Sequence, residues 1–378
     1  MPTTRLSPPP QAPPVPPSAA PQPVPSPPLP AAQPVVKPQK PKPTWKARLR
    51  GGTFGLISLA LCLVIVAGVT LRLTVKDGFA PLAPAFYALS VPVLVTLGLL
   101  ATLSAAIAFG FRLTIKRGLL MVALGVLGGL NAAIFLFQDA TFDDRPRVVL
   151  WNVAGGAAGW DGVAGALETN NPTLAVLVES GGDDAADAFW RDRFGDQFFV
   201  ERPGGGLTIL SRGMIGRTES VKLPGGARAA TAKLKIGGER ANLLVVDLPS
   251  NPLSDRAESL RAIAELAEEM SQQRPTILAG DFNTPPDSVH FNDLRRAGFV
   301  HAFERHGSGY AATWPSVAPA LHLDHVWLSP GFDAGETWHG WTVHSDHRPV
   351  LSPVRVAPAR FEAYQTAAAA AVEDIDAE

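Results

Sequence analysis

The sequence predicts two unlike parts in one chain: an all-α membrane region of three helices, followed by one mixed α/β domain with a sheet-based core. Three observations carry this. Residues 51–71, 78–111 and 118–138 contain no charged side chain, and each run is long enough to cross about 30 Å of hydrocarbon, which takes about 20 helical residues. From residue 145 onward, short β-rich apolar runs alternate with helical patterns. Composition is also segregated, because residues 1–50 hold 18 of the 36 prolines and 7 basic residues but no acid. A chain of 378 residues built this way is neither a single soluble domain nor fully disordered. Cys62, alone of its type and inside an apolar run, excludes a disulfide scaffold.

The first element, residues 1–50, cannot be helix or central strand. Stretches such as Pro13-Pro14-Val15-Pro16-Pro17 lack backbone N–H groups and have a fixed φ. A disordered tail with polyproline II character is expected, acting as a spacer or as a ligand for protein partners that bind proline-rich segments. It does not have the layout of a secretory signal, which places a short apolar core just after a charged start.

The membrane region, residues 51–140, follows, with spans expected at about 52–72, 85–110 and 118–138. Pro81, Pro84 and Pro92 push the start of the second span towards Ala85, and Gly125, Gly128 and Gly129 would allow close packing of the third. Lys37, Lys40, Lys42, Lys46, Arg48 and Arg50 precede span one, and Arg112, Lys116 and Arg117 separate spans two and three. Basic residues stay in the cytoplasm. A multi-pass protein of the cell (inner) membrane is expected, with a cytoplasmic N-terminus and the C-terminal half on the far side.

The globular domain is expected over residues 145–356. Strands are expected at Val148–Asn152, Leu174–Val178, Leu207–Leu210, Ala232–Ile236, Asn242–Asp247, Thr276–Ala279, His325–Leu328 and Val350–Val356. Helices are expected at Asp255–Gln272, capped by Ser254 or Asp255, and at Asp287–Ala297. Residues 357–378 form a C-terminal tail or loose helix with no assigned role.

Several of these strands stop at an acid or an amide. Asn152 ends the first and Glu179 follows the second. Asp281 and Asn283 follow Thr276–Ala279, Asp324 opens the next strand, and Asp346 and His347 sit in Ser345-Asp346-His347-Arg348-Pro349. A carboxylate beside an apolar core is costly unless a cation or hydrogen bonds compensate. An oxygen-rich set without cysteine suits Mg²⁺ or Mn²⁺ better than zinc.

The ordered series Trp151-Asn152, Glu179, Gly280-Asp281-Phe282-Asn283, Asp324-His325 and Ser345-Asp346-His347 resembles the endonuclease/exonuclease/phosphatase superfamily, the group that includes deoxyribonuclease I-like nucleases. Gly206–Arg212 also looks like that family's central strand. The resemblance covers about residues 145–356. It implies a four-layer α/β/β/α sandwich, a divalent metal and phosphate-ester hydrolysis. Membrane-anchored members with this N-terminal arrangement are familiar. By the same resemblance Glu179 is the principal metal ligand with Asn152 beside it, and Asp346 binds or supports the metal. Asp281 orients or deprotonates the attacking water, Asn283 contacts the phosphate, and His347 touches the scissile phosphate while Asp324 holds its ring. Asp247 departs from the pattern, since many members carry a histidine there. It would act as a protonated acid, serve as an extra oxygen ligand, or weaken catalysis.

Residues 145–356 hold 20 basic and 25 acidic side chains. Proteins that grip a long duplex usually show basic clustering, and only Arg295-Arg296 are adjacent here. The expected substrate is therefore a phosphodiester of nucleic acid or of a phospholipid head group. Trp314, Trp338 and Trp341, near the motifs, could line a cleft, meet a bilayer or pack under loops. Two non-enzymatic readings stand beside hydrolysis. One is a membrane adaptor with a catalytically degenerate outer domain. The other is a transport or sensor bundle, disfavoured because the spans carry no mid-depth charge.

Overall fold

A computed structural model describes residues 45–109 and 143–376. The proline-rich tail and the expected third span lie outside the described residues. The first helix, α1, runs Trp45–Leu73. A short helix, α2, follows at Ala83–Ala88, and then α3 at Val91–Phe109. Among the described residues, Gly51–Leu73 and Val91–Ala108 are long and apolar enough to cross a membrane. Helices α1 and α3 pair antiparallel. Ser58 Oγ donates to the Ala101 carbonyl at 2.9 Å, and a Cβ at Gly68 would meet Leu94.

The apolar stretch does not begin as one helix at Ala85. Leu89 leaves helical geometry (φ −96°, ψ 47°) and divides α2 from α3. Pro84 and Pro92 each fall in the first turn of a helix, where a missing N–H costs nothing.

The last turn of α1 and the connector to α3 dock onto the rest of the protein through their charges. Arg72 pairs with Asp287 at 2.5 Å, and Lys76 Nζ donates to the Asp287 carbonyl at 2.8 Å. Asp77, buried, accepts the Val289 N–H at 3.0 Å. Tyr87 donates to the other Asp77 oxygen at 3.3 Å, and the Arg256 guanidinium lies over the Tyr87 ring.

Beyond residue 143 are thirteen described strands. They are β1 Arg147–Asn152, β2 Leu174–Val178, β3 Phe199–Gly204, β4 Leu207–Ser211, β5 Glu219–Lys222, β6 Arg228–Ile236, β7 Glu239–Asp247, β8 Thr276–Asp281, β9 Val300–His301, β10 Asp324–Leu328, β11 Phe332–Ala334, β12 Trp338–His339 and β13 Val350–Val356. One sheet has the order β11-β13-β1-β2-β4-β3, with β12 on β13, and the other β5-β6-β7-β8-β10-β9.

Alternation along each strand decides what it packs against. In β1, Val148 and Leu150 face the second sheet, with Val176 of β2 and Val245 of β7 in the same core. Val149 and Trp151 face the other way, against helices α4 (Trp160–Asn170) and α5 (Asp184–Phe194). Leu244 and Val246 of β7 likewise turn outward, onto α6 (Ala257–Gln273).

Every expected strand forms, most of them a residue or more longer. Strand β6 begins at Arg228 and not at Ala232, because pairing with the whole of β7 satisfies its backbone. Helix α6 begins two residues late, and Asp255 still receives the Ala257 N–H at 2.9 Å. The helix expected over Asp287–Ala297 shortens to Asn292–Arg296, because the residues before it hold the connector. Residues Pro358–Asp376 are helical. Strands β3, β5, β9, β11 and β12 and helices α4 and α5 have no counterpart among the expected elements.

Candidate active site

The strand register sets the site. Asp281 ends β8, where its neighbours are Asp247 on parallel β7 and Asp324 on antiparallel β10. Three carboxylates therefore stand side by side at one sheet edge. Gly280 makes the approach feasible, since a Cβ there would run into the Val246 carbonyl. From the facing sheet, Asn152 ends β1 opposite Val178, and Glu179 follows directly. Single ligand oxygens of Glu179, Asp247 and Asp281 lie within 4.8 Å of one another, and Asp281, Asp324 and His347 form a second such group.

The Asn152 amide bridges the two sheets. Its Nδ2 donates to Glu179 Oε1 at 3.1 Å and to Asp281 Oδ2 at 2.9 Å, while its Oδ1 accepts the Ala154 N–H. Asp281 Oδ1 accepts the Asn283 N–H at 2.8 Å, and Asn283 Nδ2 donates to the Leu248 carbonyl. Glu179 (φ 53°) and Asn283 (φ 47°) both sit in the left-handed region. That is a costly place for a residue like glutamate, and such strain gathers at functional sites.

His347 Nδ1 lies 2.8 Å from Asp324 Oδ2, and its Nε2 is 3.9 Å from Asp281. Ser345 orders this loop by accepting the His347 N–H and donating to the Asn152 carbonyl. Trp151 Nε1 adds a bond to the His347 carbonyl. Asp346 belongs to neither close group. It lines the same cleft and accepts from Trp314 Nε1 at 3.0 Å. Of the three tryptophans, Trp314 lines the cleft, Trp338 is buried in the outer core, and Trp341 is exposed.

Charge crowding shifts these groups. Burial, then Asp324, pushes the Asp281 carboxyl well above the usual range. Burial alone would depress His347, but Asp324 and Asp281 outweigh it and hold the ring protonated well above neutrality. Asp247 is pushed up to about 6 by burial, against the pull of Arg228, whose Nη1 lies 3.0 Å away.

The cleft has a volume of about 730 Å³. Glu179, Asp281, Asn283 and His347 line it, together with Pro84, Tyr87 and Ala88 of the connector and Arg256. The connector was invisible as a site element, since nothing in its composition ties it to residues two hundred positions on.

The profile of the Endonuclease/Exonuclease/phosphatase family matches residues 149–347, more than half of the chain. The chain belongs to that family. Among individual proteins it is similar to the uncharacterized protein YbhP of Escherichia coli K12, with 25% identity over 181 residues, covering 45% of this chain and 71% of that protein. YbhP of Shigella flexneri matches to the same extent. Among solved structures, TDP2 of D. rerio in complex with a single-strand DNA product aligns with a TM-score of 0.48 and 17% identity, covering 57% of this chain and all of that one. An endonuclease/exonuclease/phosphatase of Beutenbergia cavernae aligns with a TM-score of 0.46 and 18% identity, over 56% and 72% of the two chains.

Proposed function

We propose that the protein is a membrane-anchored, divalent-metal-dependent phosphodiester hydrolase whose catalytic domain lies outside the cytoplasm. In this reading the two sheets and their covering helices are the four layers of an α/β/β/α sandwich spanning residues 145–356. The observation that carries it is the group of Glu179, Asp247 and Asp281 beside the His347–Asp324 pair.

The donor set fits the metal. Carboxylate oxygens of Glu179 and Asp281, converging without sulfur, suit Mg²⁺ or Mn²⁺. Asp346 and the Asn152 amide are the further oxygen donors, and Asn152 would turn its oxygen from the Ala154 N–H to take part. The bound ion would polarise a phosphoryl oxygen as a Lewis acid. Burial and Asp324 make the Asp281 carboxylate a strong base, and once a bound cation had displaced its proton it would be a competent acceptor for the proton of an attacking water. His347, held protonated and oriented by Asp324, stabilises negative charge on the phosphoryl group and can donate to the leaving oxygen. Asn283 positions the phosphate. Asp247, its carboxyl pushed up to about 6, stands where many family members carry a histidine and can donate a hydrogen bond in its neutral form, which is populated below about pH 6.

The acidic balance of the domain argues against a tightly held long duplex. The connector wall at Pro84, Tyr87 and Ala88 favours a substrate met at the membrane surface, such as a phospholipid head group or a short extracytoplasmic nucleic-acid segment. The test is hydrolysis of bis-p-nitrophenyl phosphate, DNA and phospholipids by the full chain in detergent, with Mg²⁺, Mn²⁺ or EDTA. Metal-dependent turnover lost in Glu179→Gln supports the reading. Turnover undiminished in EDTA overturns it.

A further inference from the structure

Away from the cleft, on the other side of Asp324, four histidines meet. His301 ends β9, His322 precedes β10, His325 lies within it, and His339 ends β12. They are 2%, 7%, 0% and 1% exposed. Ring centroids lie 5.1 Å apart for His301–His322, 4.9 Å for His301–His325, 5.0 Å for His322–His325 and 4.8 Å for His322–His339. Phe282 stacks on His325 and Phe303 on His339, so the surroundings are aromatic and dry.

Each ring leaves one nitrogen without a hydrogen-bond partner: His301 Nε2, His322 Nε2, His325 Nδ1 and His339 Nε2. Buried polar atoms are nearly always satisfied, and each exception asks for a cause. The partners of the other nitrogens identify what is exposed. His325 Nε2 is 3.2 Å from the His322 carbonyl and His339 Nδ1 is 3.2 Å from the Tyr310 carbonyl. A carbonyl only accepts, so those nitrogens carry the protons, and His325 Nδ1 and His339 Nε2 present lone pairs. Metal-binding histidines are oriented in this way, with the far N–H anchored on a carbonyl. One ring nitrogen from each of His301, His322 and His325 lies within 4.8 Å of the other two.

We propose that this cluster binds a late first-row divalent transition-metal ion, such as zinc, through His322, His325 and His301, with His339 the adjacent fourth nitrogen. All-imidazole sets select this class over Mg²⁺, so the site is chemically separate from the carboxylates of the cleft. Burial keeps all four rings neutral, the form that ligates. Two adjustments accompany binding. Tetrahedral zinc with bonds of about 2.1 Å brings ligand nitrogens to about 3.4 Å of one another, so the rings close in. At His301, Nδ1 now accepts the Glu304 N–H at 3.0 Å, so the ring proton moves from Nε2 to Nδ1 and that N–H is released. The ion would tie β9, β10 and β12 together directly behind Asp324.

The experiment measures metal content of the full chain in detergent by mass spectrometry, and follows Co²⁺ binding by the visible bands of a tetrahedral nitrogen site. Wild type should retain about one equivalent of zinc after dialysis, and Co²⁺ should give those bands. Glu179→Gln should keep both signals, because its carboxylate belongs to the other site. His322→Gln should weaken zinc binding by more than about 100-fold, beyond the loss from removing a mere supporting partner. If wild type holds no transition metal and gives no Co²⁺ bands, the cluster encloses only water or nothing and the proposal is wrong. Equal retention by His322→Gln would overturn it too, and that result does not depend on the variant being active.

Discussion

Asp324 Oδ2 lies 2.8 Å from His347 Nδ1, although 23 positions separate the two residues in the chain. The pair joins the end of one sheet to a loop leaving the other. It makes His347 a cation at neutral pH despite nearly complete burial.

Removing the imidazole should therefore remove charge that nothing else replaces. His347→Gln is expected to lower kcat/KM by about 10²–10⁴-fold, the usual worth of a positioned acid or base. Asp324→Asn should cost less and should also shift the alkaline limb of the pH–rate profile to lower pH, since the ring loses its main stabilising partner. An unchanged profile in Asp324→Asn would show that the pair is only structural.

Metal should stabilise the fold as well as the reaction. Glu179, Asp247 and Asp281 crowd together, and without a cation that crowding and burial are relieved only by Asp281 holding a proton. Mg²⁺ or Mn²⁺ is expected to raise Tm, and EDTA to lower it. In Glu179→Gln the Mg²⁺-dependent rise should shrink sharply, which differential scanning fluorimetry would show.

Asp247 makes a signed pH prediction. Its folded value, about 6, is above the ordinary 3.8. The folded state thus holds the proton more tightly, so stability from this group is full below pH 3.8 and is lost as pH rises through 6. Asp247→Asn stays neutral and avoids that loss. Without metal it should be more stable than wild type at pH 8 by no more than about 3 kcal/mol, with the gain fading towards pH 4. A constant difference across pH would contradict the assignment.

The connector offers a test of the cleft wall. Tyr87→Ala removes a lining side chain and the Asp77 hydrogen bond without touching the carboxylates. KM for a bulky phosphodiester should change several-fold while kcat for bis-p-nitrophenyl phosphate holds. Equal effects on both would place Tyr87 outside the substrate's path.

Orientation is tested independently. A periplasmic-type reporter fused after Glu378 should be active only outside the cytoplasm, with the N-terminus protected from protease in intact cells. A cytoplasmic C-terminus would remove the charge-based topology.

Local chemistry determined much of this protein in advance. Strands β1, β2, β8 and β13 are legible because each is a short β-branched run bounded by turn residues. Asn152, Glu179 and Asp281 stand out because an acid or amide ending or directly following a buried strand needs compensation, and Asp324 and His347 stand out through the motif order that resembles the family. That apolar helices precede the domain follows from length and absence of charge alone. Tertiary structure decided what depends on distant partners. Strand β5, three-quarters polar or charged, is a strand only because β6 offers it a ladder. Register placed Asp247 beside Asp281, and no local pattern encodes which strands lie adjacent. The connector came to line the cleft because Arg72 at the end of α1, with Lys76 and Asp77, found partners at 287–289. The histidines at 301, 322, 325 and 339 lie in three separate segments, and their sequence shows no shared pattern. Packing alone brings their nitrogens together, since the hydrophobic effect buries surface without regard to sequence distance.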